Sequence, residues 1–239
     1  MDKTIQDEFI STVSHEMRTP LTSIRGFSQT LLSSWDKLDE DSKKKFVKII
    51  EEQSNRLINL VENILTVSKM NADKPIFREV NVNISIPKVI QMLSVKYKEN
   101  PIKTNFNPHL PPVRLDEDKF QQIMTNLIDN ACKYSGAGKS VEIETAFADS
   151  DNILISVKDE GVGIKSEDAE KVFEKFVRLE NHLTSKAQGN GLGLYITKNL
   201  VESMSGQIWL ESEPSKGTIF KLKFPFYNQE EALKCSQQS

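Results

Sequence analysis

Residues 10–31 read ISTVSHEMRTPLTSIRGFSQTL, with apolar side chains at Ile10, Val13, Met17, Pro20, Ile24, Phe27 and Leu31. Spacings that alternate between three and four make a heptad seam along one side of a long helix. A second run, Phe46, Ile50, Gln53, Leu57, Leu60, Ile64 and Val67, repeats the alternation, with Gln53 as its only polar member. Between them lies SSWDKLDEDS, a polar stretch suited to a hairpin turn, in which Asp39 or Asp41 is placed to cap the second helix. Two helices cannot enclose their own apolar faces. A symmetric homodimer closes them into a four-helix bundle. The alternative, a hairpin packed on the rest of the chain, is disfavoured because the seams are long and the second half supplies its own core.

The period changes after residues 71–76, NADKPI, a short polar linker read as a hinge. REVNVN reads as a strand, SIPKVIQMLSVKYKEN as a helix, and KTNFN and PVRL as short strands. Asp116 can cap a helix from Glu117 to Tyr134. SVEIETAFA and NILISVKDE are two strands split by a DSD turn, and a short helix is expected from Glu167 to Phe173. Another helix starts near Gly191 and ends near Ser205 and Gly206, and QIWLESE and GTIFKLKFPF close the domain as strands. The expected organisation is multidomain: an all-α hairpin over 1–70, the hinge linker over 71–76, an α+β two-layer sandwich over 77–228, and a polar tail over 229–239.

A net charge of −3 argues against non-specific nucleic-acid binding, which needs a basic surface. No apolar run approaches the roughly 20 residues that cross a bilayer. This segment is therefore expected to be cytoplasmic and to make no membrane contact, though a longer parent could be membrane-anchored. Cys132 and Cys235 stand far apart in no CxxC spacing, so neither a disulfide framework nor a zinc site is expected. Cys132 reads as a small core residue.

His15 lies two residues past Val13 and so faces away from the seam. Glu16 is adjacent, and Arg18 and Thr19 lie in the next turn. A carboxylate beside an imidazole can hold one ring nitrogen protonated and leave the other nucleophilic. Thr19 is one turn away on the same face, where its hydroxyl can position a water. The run His15-Glu16-x-x-Thr19 lacks the second histidine of HExxH, so a metalloprotease fails on ligand count. Pro20 removes the hydrogen bond to the carbonyl of Glu16 and is expected to kink the helix just past the histidine.

In the second half, NLIDNACKYS places Asn126, Asn130 and Lys133 within two turns, with Tyr134 beside them. Asparagine oxygens suit Mg²⁺, and lysine meets phosphate as a point charge. A polar helix face would explain the asparagines equally well. In DEGVGI, Asp159 can accept from an exocyclic amine such as that of adenine, and Gly161 and Gly163 let backbone approach a ligand. GNGLGL puts Gly189, Gly191 and Gly193 before a helix, where free N–H groups and the helix dipole favour phosphate. It fits neither a Rossmann fingerprint nor a P-loop. The long polar segment FEKFVRLENHLTSKAQ between them is a candidate lid that Phe173 and Phe176 could anchor, with Arg178 in reach of phosphate, though apolar packing alone explains the phenylalanines equally well.

Together these stretches resemble the sensor histidine kinases of two-component systems, in which a HisKA-type dimerisation and phosphoacceptor domain precedes a GHKL-type ATPase domain. The resemblance runs from about Asp7 to Phe226: SHEMRTPL is similar to the family's H box, NLIDNACKYS to its N box, DEGVGI to G1, FEKFVR to the F box and GNGLGL to G2. It implies an ATP-dependent autokinase that phosphorylates His15 and passes the phosphoryl group to an aspartate of a response regulator, and that also dephosphorylates that regulator. Glu16 would be the general base and Thr19 would orient the phosphatase water. Asn130 would hold Mg²⁺ with Asn126 assisting, and Lys133 and Arg178 would meet phosphate. Tyr134 would line the adenine site, Asp159 would bind the adenine amine, and Gly161, Gly163, Gly189, Gly191 and Gly193 would shape the cradle and lid hinges. Asn190 departs from the threonine common at its position, which puts that side-chain contact in doubt. The rival reading is a catalytically silent or phosphatase-only GHKL scaffold. The intact His15, Glu16, Asn130 and Asp159 argue against it.

Overall fold

The structure, a computed structural model, describes residues 3–70, 73–179 and 189–226. The chain divides into two compact units, a helical hairpin through Lys69 and a larger domain beginning at Met70. The expected tail lies outside the described residues, as do residues 71 and 72 of the linker and 180–188 of the candidate lid.

In the hairpin, helix α1 (Lys3–Ser34) and helix α2 (Glu40–Lys69) are joined through a single 3₁₀ turn, Trp35–Lys37. Asp39 is the cap: its carboxylate accepts from the Ser42 N–H at 2.7 Å and from the Ser42 hydroxyl at 2.9 Å. Asp41 instead lies in the first turn of α2, where the helix dipole favours its charge. The seam forms as the spacing predicts. Leu31 and Leu60 are buried, and Met17, Ile24, Leu57 and Ile64 are half-buried. Phe27 and Phe46 meet with ring centroids 5.1 Å apart. Most seam residues stop at half-burial, and Ile10 stays exposed, because one facing helix covers only one side of each side chain. Pro20 is buried and α1 continues through it. Leu21 and Leu32 on α1, and Val47, Ile58 and Leu65 on α2, remain exposed away from the seam.

In the larger unit, strand β1 (Arg78–Val80) is shorter than REVNVN suggests. The Asn81 side chain accepts from the Asn83 N–H at 3.0 Å and starts helix α3 (Val82–Ser94). An asparagine that caps a helix ends the strand before it. Strands β2 (Ile102–Phe106) and β3 (Val113–Leu115) follow, then helix α4 (Glu117–Ser135), β4 (Val141–Phe147) and β5 (Asn152–Asp159). Asp116 caps α4 by accepting from the Lys119 N–H at 3.2 Å. Helix α5 (Gly193–Ser203) and strands β6 (Gln207–Glu213) and β7 (Gly217–Pro225) complete the domain. The short helix expected over Glu167–Phe173 is two 3₁₀ turns, Ser166–Asp168 and Lys171–Phe173. Of these six turn residues only Val172 and Phe173 are buried, too little apolar surface to hold a regular helix.

β1 and β3 pair in a small antiparallel ribbon. The main sheet runs β2-β4-β5-β7-β6, parallel between β2 and β4 and antiparallel elsewhere. Alternate residues of the central strands, including Ile143, Ile153, Ile155, Val157 and Leu222, are fully buried. Helix α4 turns Phe120, Ile123, Leu127 and Ala131 inward, and Phe120 meets Phe224 edge-to-face at 6.2 Å. The opposite sheet face carries ion pairs such as Lys158–Glu142 and Lys221–Glu211. This is the two-layer sandwich that the alternation implies.

Candidate active site

On α1, His15 is solvent-exposed, as is Thr19 one turn later. Glu16 is half-buried at the edge of the seam, and one oxygen of its carboxylate accepts from the Arg56 guanidinium of α2 at 3.2 Å. The hydroxyls of Ser14 and Thr22 bond back to the carbonyls of Ile10 and Arg18 at 2.8 and 2.9 Å. They are thereby tied to the helix, while the His15 imidazole faces outward. Sequence reasoning missed Arg56, because nothing local links residues 16 and 56; only the antiparallel register of the hairpin does.

In the larger unit, the inward alternation of β5 runs Ile153, Ile155, Val157 and then Asp159, so the same pattern that builds the core buries a carboxylate at its end. Asp159 is 5% exposed. One of its oxygens accepts from the Gly161 N–H at 2.8 Å and from the Thr218 N–H at 3.2 Å. Burial pushes this carboxyl up to about 6, against the pull of those two N–H groups. A side chain on Gly161 would meet the backbone oxygen of Tyr134 at 2.5 Å and the Asp159 carboxylate at 2.6 Å. The turn after β5 therefore lies flat against the C-terminal end of α4.

Ser212 and Thr218, on the facing ends of β6 and β7, brace this turn. Ile164 N–H donates to the Ser212 hydroxyl at 2.7 Å, and the Ser212 and Thr218 hydroxyls are 2.9 Å apart. The sequence reading did not single them out. The pairing of β7 against β5 is what brings them to Asp159.

Along α4, Asn126 is half-buried, and its amide donates to the buried hydroxyl of Thr197 on α5 at 2.8 Å. Its oxygen occupies the space that a side chain on Gly193 would need. Asn126 thus joins α4 to the first turns of α5. Asn130 is half-buried one turn on, and its side chain makes no hydrogen bond among the described residues. Lys133 is ion-paired with Asp129, a residue the sequence reading passed over. Asp129 also accepts from Lys96 at 2.7 Å and from the Tyr97 hydroxyl at 2.6 Å. Burial alone would raise its pKa, but Lys133, Lys96 and Tyr97 together hold it below the usual carboxylate range. Tyr97 is pushed up by burial and by donating to Asp129, and Cys132 is pushed up to about 11 by burial and the same carboxylate. Burial also raises Tyr134, an effect that the nearby Arg178 charge partly offsets.

Gly191 has φ +68°, and a side chain there would lie 2.6 Å from the backbone carbon of Phe176. The Phe176 N–H donates to the Gly191 carbonyl at 2.9 Å. The two ends of the candidate lid are therefore held together at its base. Phe173 anchors the first end, edge-to-face with Phe220 at 6.3 Å. Gly163, also at positive φ, packs on the backbone of Glu213, whereas Gly189 has open space around its Cα. The structure thus gathers Asp159, Gly161 and Tyr134 around one turn, and Asn126, Gly191 and Gly193 around the start of α5.

The arrangement fits a nucleotide and its divalent cation. The hydroxyl of Ser135 is the only buried side-chain N or O atom among the described residues without a hydrogen-bond partner, and it follows Tyr134 at the end of α4. Among the described residues no cluster of three or more His, Cys, Asp or Glu side chains forms a metal cage. An ion here would therefore rest on an amide oxygen and on oxygens of its ligand, the coordination Mg²⁺ tolerates well.

The chain thus pairs an exposed histidine on a helical hairpin with a glycine-lined sandwich, and both halves match known families. Residues 5–73 match the His Kinase A (phospho-acceptor) domain, and residues 115–228 match the histidine kinase-, DNA gyrase B- and HSP90-like ATPase family. The sensor histidine kinase WalK of Bacillus subtilis is 36% identical over 234 residues, 94% of this chain and 37% of that protein. The chain thus spans a little over a third of that relative's length. The Acinetobacter baumannii histidine kinase AdeS superposes with a TM-score of 0.69 at 26% identity, over 90% of this chain and 98% of that one. The fold is shared as well by histidine kinase ThkA, solved in complex with response regulator protein TrrA, at a TM-score of 0.75 and 24% identity over 94% of this chain and 63% of that one. The chain belongs to the sensor histidine kinases and carries their catalytic core, with its ATP-binding domain in the larger unit.

A substitution at the turn after β5 should be felt at once. Gly161→Ala is expected to cost about 1–3 kcal/mol, because neither the Tyr134 carbonyl nor Asp159 can retreat from an added methyl group. ATP affinity, measured by isothermal titration calorimetry, should fall about tenfold or more.

Proposed function

We propose that this chain is an ATP-dependent histidine autokinase whose phosphoacceptor is His15. The observation that carries the reading is the exposed imidazole of His15 beside the half-buried carboxylate of Glu16, in a chain that also bears an ATP-binding domain. The ring nitrogen attacks the γ-phosphorus of ATP in line. A nitrogen–phosphorus bond forms, the bond from γ-phosphorus to the bridging oxygen breaks, and ADP leaves. Glu16 takes the proton that the ring gives up. Catalysis of this kind is mostly positioning and charge neutralisation.

Asp159 accepts from the adenine amine, Tyr134 lines the base, and Arg178 meets the phosphates. Lys133 joins Arg178 there by leaving Asp129, which keeps Lys96 and Tyr97 as partners. Asn130 would hold Mg²⁺, with Asn126 steadying the first turn of α5 behind it. When bound, Mg²⁺ neutralises charge on the phosphate oxygens. Gly191 and Gly193 let backbone approach the phosphates at the start of α5, and Gly189 leads into that turn.

The phosphoryl group then passes to an aspartate of a response regulator, and Thr19, exposed one turn from His15, orients water when the regulator is dephosphorylated. The exposed apolar side chains of the hairpin, Leu32, Val47, Ile58 and Leu65 among them, support a homodimer that covers them. Among the described residues no helix is long and apolar enough to cross a membrane. We place this segment on the cytoplasmic side, where ATP and receiver domains are found.

The test is to incubate the chain with Mg²⁺ and γ-labelled ATP and to map the label. An acid-labile, base-stable phosphoryl group on the peptide containing His15 is the expected result. ATP hydrolysis with no protein-bound label would instead indicate an ATPase of the gyrase or chaperone kind.

A further inference from the structure

The ion pair between Glu16 and Arg56 is more than a clamp between two helices. Among the described residues of the hairpin there are two ion pairs. Lys43–Glu40 is local to the first turn of α2, and its acid is largely exposed. Arg56–Glu16 crosses from α2 to α1, and both side chains are mostly covered, at 22% and 25% exposure. A pair shielded to this degree is screened less by water and salt than a surface pair.

Its position matters more than its strength. Neighbours on a helix point about 100° apart, so Glu16 and His15 do not face each other by default. A free glutamate spreads over its rotamers and seldom holds an oxygen beside the adjacent ring. Here one oxygen, Oε2, is held by the guanidinium. The other has no hydrogen-bond partner among the described residues, and the ion pair restricts the rotamers open to the side chain next to His15 in sequence.

We propose that Arg56 is a positioning residue for phosphoryl transfer: by holding Oε2 of Glu16, it leaves Oε1 set to take the proton from His15. The proposal rests on the reading of Glu16 as the general base. Arg56 touches neither the nucleotide nor the reacting imidazole in this scheme. Its removal should therefore slow the chemical step and leave ATP binding alone. Lysine can hold one carboxylate oxygen as a point charge but lacks the planar fork, so it should restore the rate only in part.

The test is single-turnover autophosphorylation of the whole chain, with Arg56→Met, Arg56→Lys, Glu16→Gln and the double variant Glu16→Gln with Arg56→Met. Arg56→Met should lower the maximal rate by about tenfold, a fraction of what a general base contributes. The KM for ATP should be unchanged, and Arg56→Lys should lie between it and the unaltered chain. In the Glu16→Gln background, Arg56→Met should have little further effect, because the group it positions is gone. Three results would overturn the proposal: an unchanged rate in Arg56→Met, a loss confined to KM, or the same proportional loss in the Glu16→Gln background, which marks a purely structural role. A fully active Glu16→Gln variant would be a different failure, since it removes the general-base reading itself.

Discussion

His15→Ala is expected to bring label incorporation from γ-labelled ATP down to background, a loss on the order of a thousandfold or more, because no nitrogen–phosphorus bond can form without the ring. The protein should otherwise survive intact. His15 is exposed, its side chain makes no hydrogen bond among the described residues, and it lies in the interior of α1. Exposed substitutions of this sort change stability by about 0.5 kcal/mol at most, and alanine is the better helix former. Melting temperature should therefore hold steady or rise slightly. Apart from Gly189, the residues assigned to the nucleotide lie in the larger unit, so ATP affinity should also be unaffected. His109→Ala is the natural control. His109 is likewise exposed, but it sits in the loop between β2 and β3 with no carboxylate beside it in sequence. Loss of label in both variants, or in neither, would remove His15 as the acceptor.

Asp159→Asn should move stability and binding in opposite directions. The folded protein raises this carboxyl from the ordinary value of 3.8 to about 6. Between those two values the native state binds the proton that the unfolded chain has already released. Stability contributed by the protonated form is thus fully present below about 3.8, is lost as pH rises through 6, and stays lost at neutral pH. The penalty is on the order of 2–3 kcal/mol. Asparagine has no charge to desolvate, and its oxygen can still accept from Gly161 and Thr218. The unliganded variant should melt a few degrees higher at pH 7.5 and lose that advantage toward pH 4, which scanning calorimetry at the two pH values would check.

ATP binding should suffer. The amide of asparagine would present a donor where the adenine amine is also a donor, leaving both unpaired. Losing a hydrogen bond to a charged acceptor costs about 1.5–3 kcal/mol, so affinity should drop about tenfold to hundredfold. In the unaltered chain, affinity should likewise fall as pH drops below about 6. Tighter ATP binding by the variant would exclude Asp159 from the adenine site.

Periodicity made most of the architecture readable. A three-four alternation in one half and a two-residue alternation in the other depend only on which side chains are apolar. That Gly161 and Gly191 stand where the backbone packs closely was legible for a similar reason, since a glycine is the residue that tolerates such approach. The errors fell where a local competitor won. Asn81 ended a strand by capping a helix, and Glu167–Phe173 lacked the apolar stripe a helix needs.

Contacts between distant segments were out of reach of such reading. Arg56 meets Glu16 only through the hairpin's register. Thr218 reaches Asp159 only because β7 lies beside β5. Lys133 rests on Asp129 together with Lys96 and Tyr97, which arrive from the far side of α3 and α4 packing. Residue type and spacing say what chemistry a side chain can do and which face of its element it occupies. Which partner holds it, and therefore its charge and its aim, depends on segments tens of residues away, and those are brought together by burial of apolar surface that is largely indifferent to the polar pairs it creates.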